Sequence, residues 1–417
     1  MSSKMASPVL RLGILAMRVT GIAGKFLLGL FIAKLMSLSD LGIYGLLQGQ
    51  VAILPIVFRL GLSRQVARAM TDATHAEQSQ LITGYFSLFV ILYGLALAVA
   101  AALASIDAAS FPWLAVAVIG LVAGEHLVMD GYDFLIQLRR PFAANVVLTV
   151  LSASWPILFM IAAFIMPDWR TINALSAFWL AGSVAAGIAA AWLLRSHLTT
   201  FYLPPLAIIR RAVRASSMLY GNSLASTATV YLDRYLVGAF LSLELAGVYF
   251  FFWQVGNAIY NLVNSGLMSF ARPHLVSAFQ AGDEDAFRHL DNETTRSALL
   301  EAFVLAVGSA IVLWLILPYL GRPLLSKYEG LLWLLLAAML ARIYAEMGAL
   351  RLYCRSRDPL LMKSTLLSAV LTAALLPAGI WAGGVYGCAL ALTAMYVLVA
   401  AYRTHDSYPV QAPSPQP

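Results

Sequence analysis

The sequence predicts an all-α polytopic membrane protein, with about twelve transmembrane helices in two pseudo-repeated six-helix lobes around a central cavity. Three observations predict it. Hydrophobic residues make up 61% of the 417 and charged residues 11%, a ratio at which apolar surface would exceed any core a soluble domain could fill. Apolar runs of about 20 residues, enough to span a bilayer, recur along the chain, and the alternating ten-residue segments of a β-barrel do not. The chain also repeats itself. "LSDLGIYGLLQGQVAI" begins at Leu38 and "LELAGVYFFFWQVGNAI" at Leu243, so that Gly42-Ile43-Tyr44 falls on Gly247-Val248-Tyr249 at an offset of 205 residues, close to half the chain. Equivalent spans then share an orientation, which makes the repeats parallel.

The first six spans are expected near residues 11–36, 42–66, 80–104, 111–136, 142–166 and 172–194. The second six fall near 215–241, 246–270, 296–319, 329–353, 359–382 and 385–402. The lobes are then 1–197 and 215–403, joined by a basic cytoplasmic linker, 198–214, that contains "LPPLAIIRRAVR". The Pro-rich tail, 404–417, reads as disordered. The stretch "QAGDEDAFRHLDNETT" reads as a short solvated helix with acids at its positive end. The N-terminus does not read as a cleavable signal, since its apolar stretch is long and interrupted by charge. Cys354 and Cys388 fall on late apolar segments, so neither a disulfide framework nor a metal site is expected.

The net charge of +7 is a question of sidedness rather than of nucleic acid, for which no partner role is expected. With the N-terminus in the cytoplasm, inward loops hold sixteen Arg and Lys residues. Outward loops hold four: Lys34, Arg170, Arg322 and Lys327. Both termini are therefore expected in the cytoplasm.

The first span carries charge that a membrane helix ordinarily avoids. Arg11, Arg18 and Lys25 are spaced by seven, and Lys4 extends the series backward. Seven residues are nearly two turns, so these groups stack on one face. Counted from Arg11, Arg18 lies about 10 Å deep and Lys25 about 20 Å, in a hydrocarbon core of about 30 Å. A charge at mid-depth facing lipid costs at least about 2.5–3.5 kcal/mol. One reading makes Arg11 and Arg18 surface anchors and pairs Lys25 inside the protein. The other makes the stripe a basic wall that awaits an anion.

The eighth span places Gln254, Asn257, Asn261 and Asn264 on one face, suited to interhelical hydrogen bonds or to a wet lumen that binds hydroxyl-rich groups. The seventh adds Tyr220, Ser223, Thr227, Tyr231 and Arg234, and at the repeat offset Arg59 corresponds to Asn264. Glu125, Asp130 and Asp233 are acids within spans and candidates for coupling to a proton or sodium gradient. His126 and Asp130 are one turn apart and placed to pair. Arg342 and Glu346 have the same spacing and read as a neutralised pair. "VYFFFWQ", Val248 to Gln254, reads by default as an interfacial aromatic belt. There is no Walker sequence, no HExxH and no large outer loop, so no catalytic residues, metal or organic cofactor are assigned.

"LSDLGIYGLLQGQVAILPIVFRLGLSRQVAR" and "YLDRYLVGAFLSLELAGVYFFFWQVGNAIYN" together resemble the polysaccharide transport proteins of the multidrug/oligosaccharidyl-lipid/polysaccharide (MOP) exporter superfamily, the group of the O-antigen, or Wzx-type, flippases. The resemblance implies two six-helix lobes working by alternating access. It also implies a polyprenyl-pyrophosphate-linked oligosaccharide as substrate, with polymerase or export machinery as possible partners. Arg18, Lys25, Arg59 and Arg234 would meet the anionic headgroup, and the amides of span eight the sugar hydroxyls. The rival readings are a cation-coupled drug exporter of the same superfamily, disfavoured by the basic first span, and a membrane glycan polymerase or ligase, disfavoured by the short outer loops.

Overall fold

In a computed structural model the described residues are 8–71, 73–106, 113–198 and 201–405, and they contain helices and turns but no strand. Lys4 and the tail beyond His405 lie outside them. Twelve long helices follow one another: α1 (Pro8–Leu35), α2 (Leu38–Arg59), α3 (His75–Ile106), α4 (Trp113–Gln137), α5 (Pro141–Ile165) and α6 (Ile172–Leu194). Then come α7 (Leu206–Phe240), α8 (243–280), α9 (Glu284–Leu320), α10 (Gly330–Cys354), α11 (358–382) and α12 (385–405). The last two form one continuous run, broken where Gly383 and Gly384 leave helical geometry, Gly384 at φ 57°. Nine segments among the described residues are long and apolar enough to cross a membrane, with α11 and α12 counted together. Two helices, α7 and α8, fall short because they carry the polar residues singled out above. Their α-helical backbones complete the twelve.

The repeat is written into the helix starts. Ser37 caps α2 and Ser242 caps α8, at the same offset of 205. The Asp40 N–H donates to the Ser37 hydroxyl at 2.9 Å, and the Ser37 N–H donates back to the Asp40 carboxylate at 3.1 Å, a reciprocal capping box. In the second copy the Leu245 N–H donates to the Ser242 hydroxyl at 3.1 Å. The two helix starts then cross at their glycines. A methyl on Gly42 would collide with the Leu243 carbonyl and lie 3.1 Å from the Gly247 nitrogen, and one on Gly247 would collide with the Leu38 carbonyl and lie 3.0 Å from the Gly42 nitrogen. Leu38 and Leu243, like Gly42 and Gly247, are repeat equivalents, so the contact is its own mirror under the pseudo-symmetry.

The copies diverge at Arg59 and Asn264. α2 ends at Arg59, and the chain turns through Leu60 (φ 49°) and Gly61 (φ 77°) into the short helix Leu62–Ala69, where the sequence predicts an unbroken span to residue 66. A Cβ on Gly61 would also press on the Ser216 side chain of α7. α8 instead widens into a π-turn from Asn264 to Met268. The Ser265 hydroxyl donates to the Asn261 carbonyl and the Ser269 hydroxyl to the Asn264 carbonyl, drawing these carbonyls toward side chains.

Packing divides the chain differently from the repeat. One unit holds the described residues to Phe31 and Leu47–Leu224. The other holds Ile32–Leu46 and the described residues from Ala225. The basic linker is only partly a linker, since α7 begins at Leu206, and Ile209, Ala212 and Val213 pack with the first unit's core around Leu62 and Tyr85. Residues 32–46 join the second unit through the glycine crossing and through Arg322. That guanidinium donates to the carbonyls of Ala33 at 2.8 Å, Lys34 at 3.3 Å and Met36, at and just beyond the C-terminal end of α1. A cation is well placed at the negative end of a helix dipole. Arg322→Ala should lower stability by about 2 kcal/mol, read as an earlier melt in detergent; a melt within error of wild type would show that the clamp is ornamental.

Two further expectations change. The stretch around Gln280–Thr295 is not a separate surface helix: α9 begins at Glu284 and runs 37 residues into the membrane. Its N-terminal end is tied to the end of α10 by Arg351, which donates to Asp291 at 2.7 Å, and by Arg355 just beyond, which donates to Glu284 at 2.6 Å. Nor is "VYFFFWQ" an interfacial belt. Tyr249, Phe250, Phe251 and Phe252 are all within 1% of full burial, in the core of the second unit. A run of large rings at the crowded start of α8 fills the volume that small residues leave on α2, as Phe250 does against Gly45 and Tyr44.

Candidate functional site

In the first unit the basic face is held close to α4 and α5. Gly21 and Gly24 let α1 approach the π-turn Val150–Ser154 of α5, and a Cβ on Gly21 would sit 2.5 Å from the Ser152 hydroxyl. Arg18 follows this approach: its Nε donates to Asn145 Oδ1 at 3.1 Å and its Nη2 to the Tyr132 hydroxyl at 3.4 Å. Arg18 therefore lies along protein rather than reaching back to a membrane surface. Lys25 is half-buried, within electrostatic range of Glu125 on α4. Glu125 is itself buried and accepts a 2.6 Å hydrogen bond from the Trp179 indole, which stacks on Trp155 at 5.0 Å.

Arg59 is the best-defined member of the group. Its Nη2 pairs with Asp130 Oδ1 at 2.7 Å, with the arginine side chain 22% exposed and the aspartate wholly buried. Asp130 Oδ2 meets His126 Nε2 at 2.8 Å and accepts from the Tyr85 hydroxyl. The Tyr93 hydroxyl lies 2.7 Å from His126 Nδ1. His126 Nε2, which also lies 3.1 Å from the Tyr85 hydroxyl, is placed to donate to Asp130, and Nδ1 to bond with Tyr93. The expected His126–Asp130 pair is thus present, inside a larger network. Of the cations assigned to the headgroup, Arg59 is paired with a carboxylate of α4, and Lys25 lies within electrostatic range of another. The Asp130 carboxylate holds the Arg59 side chain in place at a depth where a lone charge would be costly.

Arg59→Met would leave Asp130 without its cation in a dry site, a loss of about 3 kcal/mol. Adding Asp130→Asn should restore accumulation and melting temperature, because the pair is then removed together. Size-exclusion profiles of tagged protein in detergent check this. A double variant no more stable than Arg59→Met would mean that Arg59 supports the fold by other contacts.

In the second unit, Arg234 is sealed at 1% exposure. Its guanidinium carbon lies 3.7 Å from the ring centre of Trp253, 4.8 Å from that of Tyr231 and 5.5 Å from that of Phe250. Nε of Arg234 lies 3.4 Å from Asp233 Oδ1, outside hydrogen-bonding geometry. Asp233 accepts from the Arg234 N–H at 2.8 Å and from the Tyr249 hydroxyl at 2.9 Å, so both its oxygens are engaged. In this conformation Arg234 touches an aromatic cage, and its Nη2 donates to the Val230 carbonyl at 3.4 Å. Cation–π contact compensates part of its burial.

The amide stripe of α8 does not stand alone. Arg342 of α10 lies 3.8 Å over the Tyr260 ring, and its Nη1 donates to Asn257 Oδ1 at 3.5 Å. The expected Arg342–Glu346 pair is absent from the geometry: Glu346 accepts instead from Arg403 of α12 at 3.4 Å. Gln254 is buried and its Nε2 lacks a partner among the described residues, whereas Asn261 and Asn264 are half-buried. Arg342, Tyr85 and Tyr93 were not assigned from the sequence. For Arg342 the signal was there, a buried-span arginine at the depth of the amides, but the one-turn acid beside it suggested self-neutralisation. Among the described residues no three His, Cys, Asp or Glu side chains gather as a metal site.

The family described as polysaccharide biosynthesis protein matches residues 14–279, well over half of the chain. The chain belongs to this family. The match runs from α1 almost to the end of α8, so every site residue assigned from the sequence lies within it, and Arg342 lies beyond. No curated protein matches this family member by sequence. Its fold is that of the MOP exporters. A MATE-family multidrug resistance transporter of the MOP superfamily, in an inward-facing conformation, superposes with a TM-score of 0.69 at 14% identity, over 96% of this chain and 97% of the other. The lipid II flippase MurJ, in an inward closed conformation, gives 0.68 at 12% identity, over 96% and 87%. The Vibrio cholerae MATE transporter VcmN gives 0.56 at 14% identity, over 96% of each chain. The chain is accordingly a multi-pass membrane protein of that architecture.

Proposed function

We propose that the protein flips a polyprenyl-pyrophosphate-linked oligosaccharide, a repeat unit of O-antigen, capsule or exopolysaccharide, from the cytoplasmic to the outer leaflet of the inner membrane by alternating access. The observation that supports this reading most is the cationic face of α1 and α2 in a member of a polysaccharide biosynthesis family. Arg18 and Arg59 are held against Asn145 and Asp130 by contacts that a pyrophosphate could replace, and Lys25 lies within electrostatic range of Glu125. When the anion takes the cation, the released carboxylate of Glu125 or Asp130 becomes a place for a proton, which gives the gradient a point of entry. Gln254, Asn257, Asn261 and Asn264, with Arg342 beside Asn257, offer hydrogen bonds of the kind sugar hydroxyls accept and donate. Arg234 and Asp233 serve this reading as the packed base of α7 and α8 rather than as direct contacts. Both termini lie in the cytoplasm, and polymerase or export machinery receives the flipped product.

The test is translocation by wild-type protein in reconstituted vesicles. A fluorescent polyprenyl-pyrophosphate oligosaccharide from the protein's own cell should become accessible to an external lectin or quencher only when the protein is present. A cationic drug should not be transported. Drug transport without movement of the lipid-linked glycan would favour the exporter reading instead.

A further inference from the structure

A cavity of about 550 Å³ lies in the first unit, between the short helix Leu62–Ala69, the first turns of α3 and the segment from Tyr202 to Ala212 that enters α7. Its wall is mostly apolar, built by Leu62, Val66, Leu81, Leu88, Ile208 and Ile209. The volume is in the range of sites that hold a small ligand. None of the residues assigned to the glycan lipid lines it.

The segment before α7 explains how it is reached. It has no regular structure up to Pro205, and its side chains alternate. Tyr202 and Pro204 line the cavity and press on Gly84, whereas Phe201 and Leu203 are turned out, 68% and 48% exposed. Leu206 and Ile208 follow at 79% and 57%. Arg210, Arg211 and Arg214 come directly after and are exposed. Bare apolar side chains next to a run of arginines suit a stretch that lies along the boundary between hydrocarbon and headgroups. A cavity beside such an edge is within reach of an acyl chain.

We propose that this cavity holds one acyl chain of an anionic membrane phospholipid, with the phosphate met by the arginines at the start of α7. Charge selects the headgroup. Arg210, Arg211 and Arg214 follow the cavity wall on α7, and Arg64 and Arg68 sit on the outer face of the short helix whose other face is Leu62 and Val66. The one acid on the wall, Glu77, is already engaged, because the Thr74 N–H and hydroxyl both donate to it at 2.8 Å. The bound chain would bridge the short helix, α3 and the start of α7 across the cavity.

The probe is phosphatidylglycerol carrying a diazirine midway along one acyl chain, with phosphatidylcholine bearing the same chain as comparison. Each is reconstituted with the full-length protein, irradiated, and mapped by peptide mass spectrometry. Phosphatidylglycerol should label peptides containing Leu62–Ala69 and Tyr202–Ala212 about fivefold more than phosphatidylcholine does. Ala212→Phe, which fills the cavity, should remove that labelling while labelling of α9 is unchanged. Ala69→Trp fills it from the opposite wall should the first variant fail to accumulate. Arg210→Gln with Arg211→Gln should erase the headgroup preference and keep the labelling. Equal labelling by both lipids, or undiminished labelling in both filled variants, would overturn the proposal. Displacement of the probe by a polyprenyl phosphate at lower concentration than by phosphatidylglycerol would also overturn it, and would give the cavity to an isoprenoid tail.

Discussion

Gly42→Ala and Gly247→Ala should each cripple the protein, although alanine is the better helix former at both positions. Propensity alone would stabilise either helix by up to about 1 kcal/mol. The crossing reverses the sign, because the added methyl meets backbone and not a side chain that could swing away: the Leu243 carbonyl for Gly42 and the Leu38 carbonyl for Gly247. Two helix starts would have to separate, and both are pinned, by the Ser37–Asp40 box and the Ser242 cap. Overpacking of this kind costs about 1–3 kcal/mol even where side chains yield, so the upper end or beyond is expected here. Gly42→Leu should prevent accumulation altogether. The control is Gly308→Ala on α9, where nothing lies within 4 Å of the added carbon and the substitution should be neutral or mildly stabilising. The check is the melting profile of purified protein beside its level in membranes. A Gly42→Ala protein as stable as the Gly308→Ala protein would mean that the two helix starts are not in contact.

The crossing also shows how much the sequence discloses. Hydropathy and the match of Gly42-Ile43-Tyr44 to Gly247-Val248-Tyr249 were enough for twelve helices and a parallel repeat, because both are carried by short-range pattern. They could not show that the matched glycines touch each other, which is a property of the pseudo-symmetry in space. Site residues were legible as types and depths rather than as partners. His126 and Asp130 share one face of α4 and could be paired from spacing. Tyr85 and Tyr93, which complete that network from α3, are more than thirty residues away and look like ordinary apolar-helix tyrosines. Glu346 had the spacing to neutralise Arg342, yet it turns to Arg403, 57 residues on, and leaves Arg342 to Tyr260 and Asn257. In helices apolar on every side, periodicity does not fix which face meets which neighbour, and that rotation decides between such partners. The aromatic run of α8 failed for the same reason: it lies near a helix end, where rings often mark an interface, but its face turns inward.

Lys25→Ala should remove most translocation while the protein still folds. Lys25 is half-buried, and its electrostatic partner Glu125 keeps the Trp179 indole when the lysine is lost. The fold therefore loses little, and Glu125 can take a proton. The anionic headgroup loses the deepest cation of the α1 stripe. A charge-assisted hydrogen bond to phosphate contributes about 1.5–3 kcal/mol, which corresponds to roughly a 10- to 150-fold fall in translocation rate at limiting substrate. Lys25→Arg should keep appreciable activity, since a pyrophosphate accepts either cation better than none. Lys25→Met retains the apolar stem and should behave like alanine, which separates charge from packing. Arg18→Ala should be milder, because Arg18 is already held by Asn145 and Tyr132. The measurement is the initial rate at which a labelled polyprenyl-pyrophosphate oligosaccharide crosses vesicles that hold equal amounts of wild-type, Lys25→Arg and Lys25→Met protein. A cationic passage for an anionic headgroup predicts near-wild-type flux for arginine and at least a tenfold loss for methionine. Equal flux through all three stable proteins would contradict it.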